Sequence, residues 1–157
     1  MSQSPPPPPY GSPEPGAPYV GHYPGVSPAQ ARGADGLTSE ERTWGGAAHW
    51  SALVGSAFGL AFLGPLVVML VGGDRSPWIR RQSVESLNFQ LSMLLYATVG
   101  GVLAVVVAIV TLGLGVLLVL PAALALGVLW LVLTIIGSVR ASGGVDYRYP
   151  LTIRFLS

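Results

Sequence analysis

Arg81, Glu85, Asn88 and Ser92 recur at i, i+4, i+7 and i+11, a spacing that sets four polar side chains on one face of a helix. A guanidinium and a carboxylate one turn apart can pair. The amide of Asn88, with that of neighbouring Gln90, demands hydrogen-bond partners wherever it leaves water. Two uses of such a stripe are open. It can cap a helix bundle at the membrane boundary and fix helix rotation, or it can form the polar mouth of a groove or pore. Arg81, Glu85, Asn88 and Gln90 are therefore the candidate interaction or assembly residues.

No catalytic set accompanies them. His49 has no carboxylate near it in sequence, Glu85 has no second acid beside it, and Gly45-Gly46 and Gly100-Gly101 lack the strand-to-helix setting and the Lys of a phosphate loop. The chain has no Cys and two His, which excludes thiol nucleophiles and disulfides and leaves no expected metal or cofactor site. All eight basic residues are Arg and the net charge is +1, so no polybasic footprint for a nucleic acid is present. The expectation is a protein that is not an enzyme.

The elements that must position the stripe belong to a membrane. Hydrophobic residues make up 51% of the 157-residue chain and charged residues 10%, against roughly a quarter charged in soluble domains. Between Glu85 and Arg140 only Tyr96 is ionisable. Three spans are predicted, at about 49–71, 87–110 and 116–139, each long enough to cross a hydrocarbon core of roughly 30 Å. Thr111, Gly113 and Gly115 form the turn between the second and third. Ser76-Pro77 reads as an N-cap followed by Pro at the first helical position, opening a short interfacial helix from Trp78 to about Ser86. Ser51, Gly55 and Gly59 on the first span, and Gly100 and Ala104 on the second, give small-residue faces for helix packing. Pro65 is expected to kink the first span. After Arg140, the alternation of Tyr147, Tyr149, Leu151, Ile153 and Phe155 predicts an extended segment along the headgroup zone.

Residues 1–45 hold ten of the fourteen prolines and predict a disordered Pro/Gly/Tyr-rich tail. Pro7, Pro8 and Tyr10 within it spell the Pro-Pro-x-Tyr form read by aromatic-grooved modules, a chance match in a low-complexity tail being the plainer account. No secretory leader opens the chain, so insertion is expected to start internally. The predicted fold is thus an all-α membrane domain over 46–157 behind that tail. Positive-inside bias with three spans puts the loop of Arg75, Arg80 and Arg81 and the carboxy-terminal arginines in the cytoplasm and the tail outside. In a competing arrangement the first segment enters and returns around Gly59, Gly64 and Pro65, which places all eight Arg on one side.

HWSAL at His49–Leu53, GPLVVML at Gly64–Leu70, SPW at Ser76–Trp78, ESLNFQLS at Glu85–Ser92 and RYPLTIRF at Arg148–Phe155 carry a family likeness. Over about residues 46–157 the chain resembles an uncharacterised bacterial family of small polytopic membrane domains, grouped with the Tic-type component of the chloroplast inner-envelope translocon. It departs from that family at Val84, where a Lys is common, and at Met69, where a Trp is. The resemblance implies a multi-pass protein of the bacterial inner membrane and supplies no catalytic residues. Together these readings favour a non-enzymatic scaffold or interaction protein, with the lipid bilayer and membrane-protein partners or further copies of itself around it. The alternative is a small transporter, channel or translocon-like component.

Overall fold

The computed structural model describes Gly33 and residues 35–157; the predicted tail up to residue 32, with its Pro-Pro-x-Tyr motif, lies outside the described residues. Four helices follow in order: α1 Ser39–Ser56, α2 Leu63–Gly72, α3 Pro77–Val110 and α4 Val116–Ser142. The all-helical expectation stands, and two of the four helices, α3 and α4, are long and apolar enough to cross a membrane.

α1 begins inside the stretch assigned to the tail. Thr38 and Glu41 form a capping box, the Thr38 hydroxyl accepting from the Glu41 N–H at 3.1 Å and the Glu41 carboxylate accepting from the Thr38 N–H at 2.8 Å. That reciprocal pair satisfies two of the N–H groups a helix start leaves without partners. Its Thr-x-x-Glu pattern was present in the sequence.

The predicted first span over 49–71 is not one helix. α1 stops at Ser56, the chain turns through Gly59 at φ 74°, and α2 runs back along α1. Two features force the break. Gly59 takes a left-handed conformation that side chains disfavour, and Pro65 falls in the first turn of α2, where its missing N–H costs nothing, so it starts a helix rather than kinking one. The hairpin is tight: a Cβ on Gly64 would collide with the backbone carbonyl of Ser51. Trp50, Val54, Phe58, Val67 and Leu70 on its outside are at least half exposed, as suits a hairpin dipping into lipid.

Ser76 caps α3 as predicted, its hydroxyl accepting from the Trp78 N–H at 3.2 Å, with Pro77 at the first helical position. The separate interfacial helix does not exist. It is the opening of α3, whose 34 residues extend for about 50 Å at about 1.5 Å per residue. The turn between α3 and α4 lies where expected, with Thr111 as C-cap and Gly113 at φ 90°.

α1 touches the three other helices. Ala48, Val68, Trp78, Ile79 and Ala141 form one core cluster around it; Phe89, Met93, Leu133 and Tyr149 form a second between α3, α4 and the carboxy-terminal segment. The start of α1, the α2–α3 loop, the end of α4 and the carboxy-terminal segment meet at one end of the molecule: Ser76 donates to Glu41 at 2.7 Å, and Gly46 packs on Ser142. All seven described arginines belong to these parts or to the first turns of α3, which hold Arg80 and Arg81. The far end holds the uncharged turn at 111–115.

Candidate functional site

The polar side chains of α3 grip the backbone of the last residues. Glu85 accepts from the Tyr149 N–H at 2.8 Å. The Asn88 carbonyl accepts from the N–H groups of Phe155 and Leu156 at 3.0 and 2.8 Å, and its amide donates to the Leu156 carbonyl at 3.0 Å. Ser92 accepts from the Ile153 N–H at 2.8 Å and donates to the backbone carbonyl of Asn88, one turn back in α3, at 2.7 Å. One turn further on, the Tyr96 hydroxyl donates to the Leu151 carbonyl at 2.9 Å. An extended segment carries backbone groups that must be paired once water is withdrawn, and here a helix supplies side chains in place of a neighbouring strand. The segment is neither helix nor strand, and a turn at Pro150 and Leu151, with Leu151 at φ 62°, breaks the unbroken extended run that the alternation predicts.

The working stripe is Gln82, Glu85, Asn88, Ser92 and Tyr96, and Arg81 stands off it. The expected Arg81–Glu85 pair does not form: the Arg81 guanidinium lies over the Trp78 ring, 5.7 Å from its centroid, and among the described residues the one ion pair joins Arg42 to Asp35 at 2.6 Å. Glu85 is drawn instead to a backbone N–H delivered by the tail of the chain. Gln90 turns toward α4, where its carbonyl accepts from the Trp130 indole N–H at 2.7 Å.

A second polar line, buried under the first, begins at Tyr149. Its hydroxyl is 2.8 Å from His49 Nδ1, His49 Nε2 is 3.0 Å from the Gln82 carbonyl oxygen, and the Gln82 amide donates to Asp146 at 2.7 Å. Because the Gln82 nitrogen is committed to a carboxylate, its oxygen faces His49, so Nε2 carries a proton; in the neutral imidazole Nδ1 then accepts from Tyr149. His49 is 0% exposed, with both ring nitrogens hydrogen-bonded. Such a line ties α1, α3 and the carboxy-terminal segment together. Tyr149 also stacks on Phe89, ring centroids 3.9 Å apart. Burial pushes its phenol above the usual range, with Tyr147 and Glu85 nearby acting the same way. Burial raises Tyr147 too, against the pull of Arg140.

Sequence reasoning missed Gln82, Tyr96, Asp146 and Tyr149 as members of the site. The signal for two of them was present: Gln82 and Tyr96 extend the stripe at helical spacing in both directions. Nothing in the pattern near Asp146 and Tyr149 announces which groups they meet.

The predicted packing residues divide. Ser51 lies against Gly64 within the hairpin, and Gly55 backs onto the Leu60 carbonyl of the turn. Gly59 serves the turn rather than a helix face. Gly100 and Ala104 do not seat a helix: no atom lies within 4 Å of a Cβ built on Gly100, and both residues line an apolar groove of about 520 Å³ between α3 and α4. The helices meet near the turn, where Gly115 abuts Val107, and again at Gln90 and Trp130. Small side chains between those points leave the gap.

The match to known families covers this architecture from the second residue of α1 to Leu156, the last residue gripped by Asn88: a family model matches residues 40–156. The chain belongs to the magnetosome magnetite crystal formation protein family. No curated protein and no solved structure matches it. The expected membership of a family of small membrane proteins is thus shown, under that description; a Tic-type grouping is not. The grip on the carboxy-terminal segment and the α1–α2 hairpin both fall within the part of the chain that the family covers.

Proposed function

We propose that this member of the magnetosome magnetite crystal formation protein family is a non-enzymatic, multi-pass scaffold of the bacterial cell membrane. Its work is to present apolar helix faces and a charged membrane-boundary surface to protein partners or to further copies of itself. The observation that carries this reading is the destination of the α3 polar stripe. Glu85, Asn88, Ser92 and Tyr96 are used on the chain's own backbone, so the groups that transport or catalysis needs are committed to architecture. The groove between α3 and α4 supports the same choice, since glycines, alanines and aliphatic side chains dominate its walls. The family's description names magnetite crystal formation. Among the described residues no group of three or more His, Asp or Glu could hold a metal ion, so the proposal rests on the two helices long and apolar enough to cross a membrane.

The positive-inside rule sets the orientation within this proposal. With α1 and α2 forming a hairpin, two helices span, and the charged end faces the cytoplasm. Liposomes containing the full chain test the function, with its mass measured in mild detergent. A defined oligomer or stoichiometric complex, with ion and solute leakage equal to that of empty vesicles, is expected. Solute-selective flux overturns the proposal in favour of a transporter or channel.

A further inference from the structure

Beside the gripped segment, at the charged end, lies a pocket of about 250 Å³ lined by Arg80, Arg81, Arg148 and Arg154 together with Glu85 and Asp146. Four guanidinium groups share it with two side-chain carboxylates and with Ser157, the last residue of the chain. None of the four has a carboxylate within ion-pair distance among the described residues, because the two acids are engaged elsewhere. Glu85 holds the Tyr149 N–H and Asp146 holds the Gln82 amide. Hydrogen bonding leaves both acids charged, so the four guanidinium groups are set against two side-chain carboxylates and the carboxylate of Ser157, and the pocket keeps a small net positive charge with none of its cations in an ion pair among the described residues.

The cations are brought there by the architecture. Arg148 precedes Tyr149, whose N–H is fixed by Glu85, and Arg154 precedes Phe155, whose N–H is fixed by Asn88. Both are thereby set opposite the first turns of α3, where Arg80 and Arg81 emerge. Past Glu85, α3 has no charged residue to its end, so the pocket opens where the hydrocarbon begins. That is the depth of lipid phosphates. The guanidinium fork matches the oxygens of a phosphate in pairs, and basic pockets at the ends of membrane helices suit anionic headgroups.

We propose that the pocket of Arg80, Arg81, Arg148 and Arg154 binds a phosphate group at the membrane surface, carried by an anionic lipid headgroup or by a soluble phosphate of the same chemistry. The site is independent of whether the protein is a scaffold or a transporter.

Native mass spectrometry of the full chain in detergent tests it, with phosphatidylglycerol titrated against phosphatidylcholine. Phosphatidylglycerol should be retained in preference. The double variant Arg148→Gln/Arg154→Gln should weaken that retention by about fivefold per guanidinium removed. Arg75→Gln, which removes the same charge outside the pocket, should stay within about twofold of wild type. Both exchanged side chains are exposed and the grip runs through neighbouring backbone, but a melting curve of each variant checks folding. Arg80→Gln/Arg81→Gln, which leaves the carboxy-terminal segment untouched, reads the same site from α3. Displacement of phosphatidylglycerol by millimolar inorganic phosphate identifies a soluble phosphate as the ligand; resistance to it identifies the lipid. Retention unchanged in both double variants, or lost equally in Arg75→Gln, overturns the proposal.

Discussion

Asn88 and Leu156 are joined as two strands of a sheet would be, the side-chain amide of one both accepting from the N–H and donating to the carbonyl of the other, at 2.8 and 3.0 Å. The same Asn88 oxygen takes the Phe155 N–H. Asn88 is 1% exposed, so its amide has no water to fall back on.

Replacing Asn88 by Leu keeps the volume close and strands three backbone groups of the segment. A buried polar group left without its partner costs about 1–3 kcal/mol, and the partial exposure of Phe155 and Leu156 places the sum toward the lower end of that range. Thermal melting in detergent should show the loss, and limited trypsin digestion should cut after Arg154 sooner than in wild type. Glu40→Ala, in the exposed first turn of α1, should change neither.

Tyr149 makes a separate prediction about pH. Its phenol ionises less readily when folded than the ordinary value of 10.0, first because it is buried. The folded state therefore binds the proton more tightly than the unfolded one, and the stability this contributes is complete below pH 10 and declines as pH rises above it. Melting temperatures of the wild type should be level near neutrality and fall above about pH 10. Tyr149→Phe keeps the stack on Phe89 and removes the hydroxyl from His49. It should be less stable than wild type at neutral pH by about 1–3 kcal/mol, and its alkaline decline should be shallower.

The sequence located these groups more surely than it paired them. Helical spacing put Glu85, Asn88 and Ser92 on one face, and the Ser76-Pro77 start and the Gly113 turn followed from local chemistry that needs no tertiary information. The partners were hidden because they are backbone atoms about sixty residues away, and a backbone N–H has no residue type to betray it. Arg81 looked like the natural partner of Glu85 by spacing alone, yet the aromatic face of Trp78 took it. The first span was misread for a related reason: composition showed enough apolar residues to cross, while the turn at Gly59 and the helix start at Pro65 are set by two backbone positions.

The hairpin makes a topological prediction that a single first span does not. Cysteines introduced singly at Ser39 and Ser157 should lie on one side of the membrane and one at Leu114 on the other, which labelling with an impermeant thiol reagent distinguishes cleanly in a chain with no Cys of its own. In intact cells Leu114→Cys should label while the other two are protected until the membrane is opened. Labelling of Ser39→Cys in intact cells would restore a first segment that crosses.

Two glycines should respond in opposite ways to the same methyl group. Gly100 sits in the interior of α3 with nothing within 4 Å of where a Cβ would stand, so Gly100→Ala meets no neighbour and gains the helix preference of Ala, about 1 kcal/mol. At Gly64 the added carbon would strike the Ser51 carbonyl, which belongs to backbone and cannot swing aside. Relieving that contact means parting α1 from α2, and the contacts between them then open as a unit, since packed interiors tolerate little added volume. Gly64→Ala should lower the melting temperature and Gly100→Ala should hold or raise it, with both variants measured in the same detergent. A loss of stability in Gly100→Ala equal to that in Gly64→Ala would mean that α3 and α4 close on each other in the membrane and that the groove between them does not persist there.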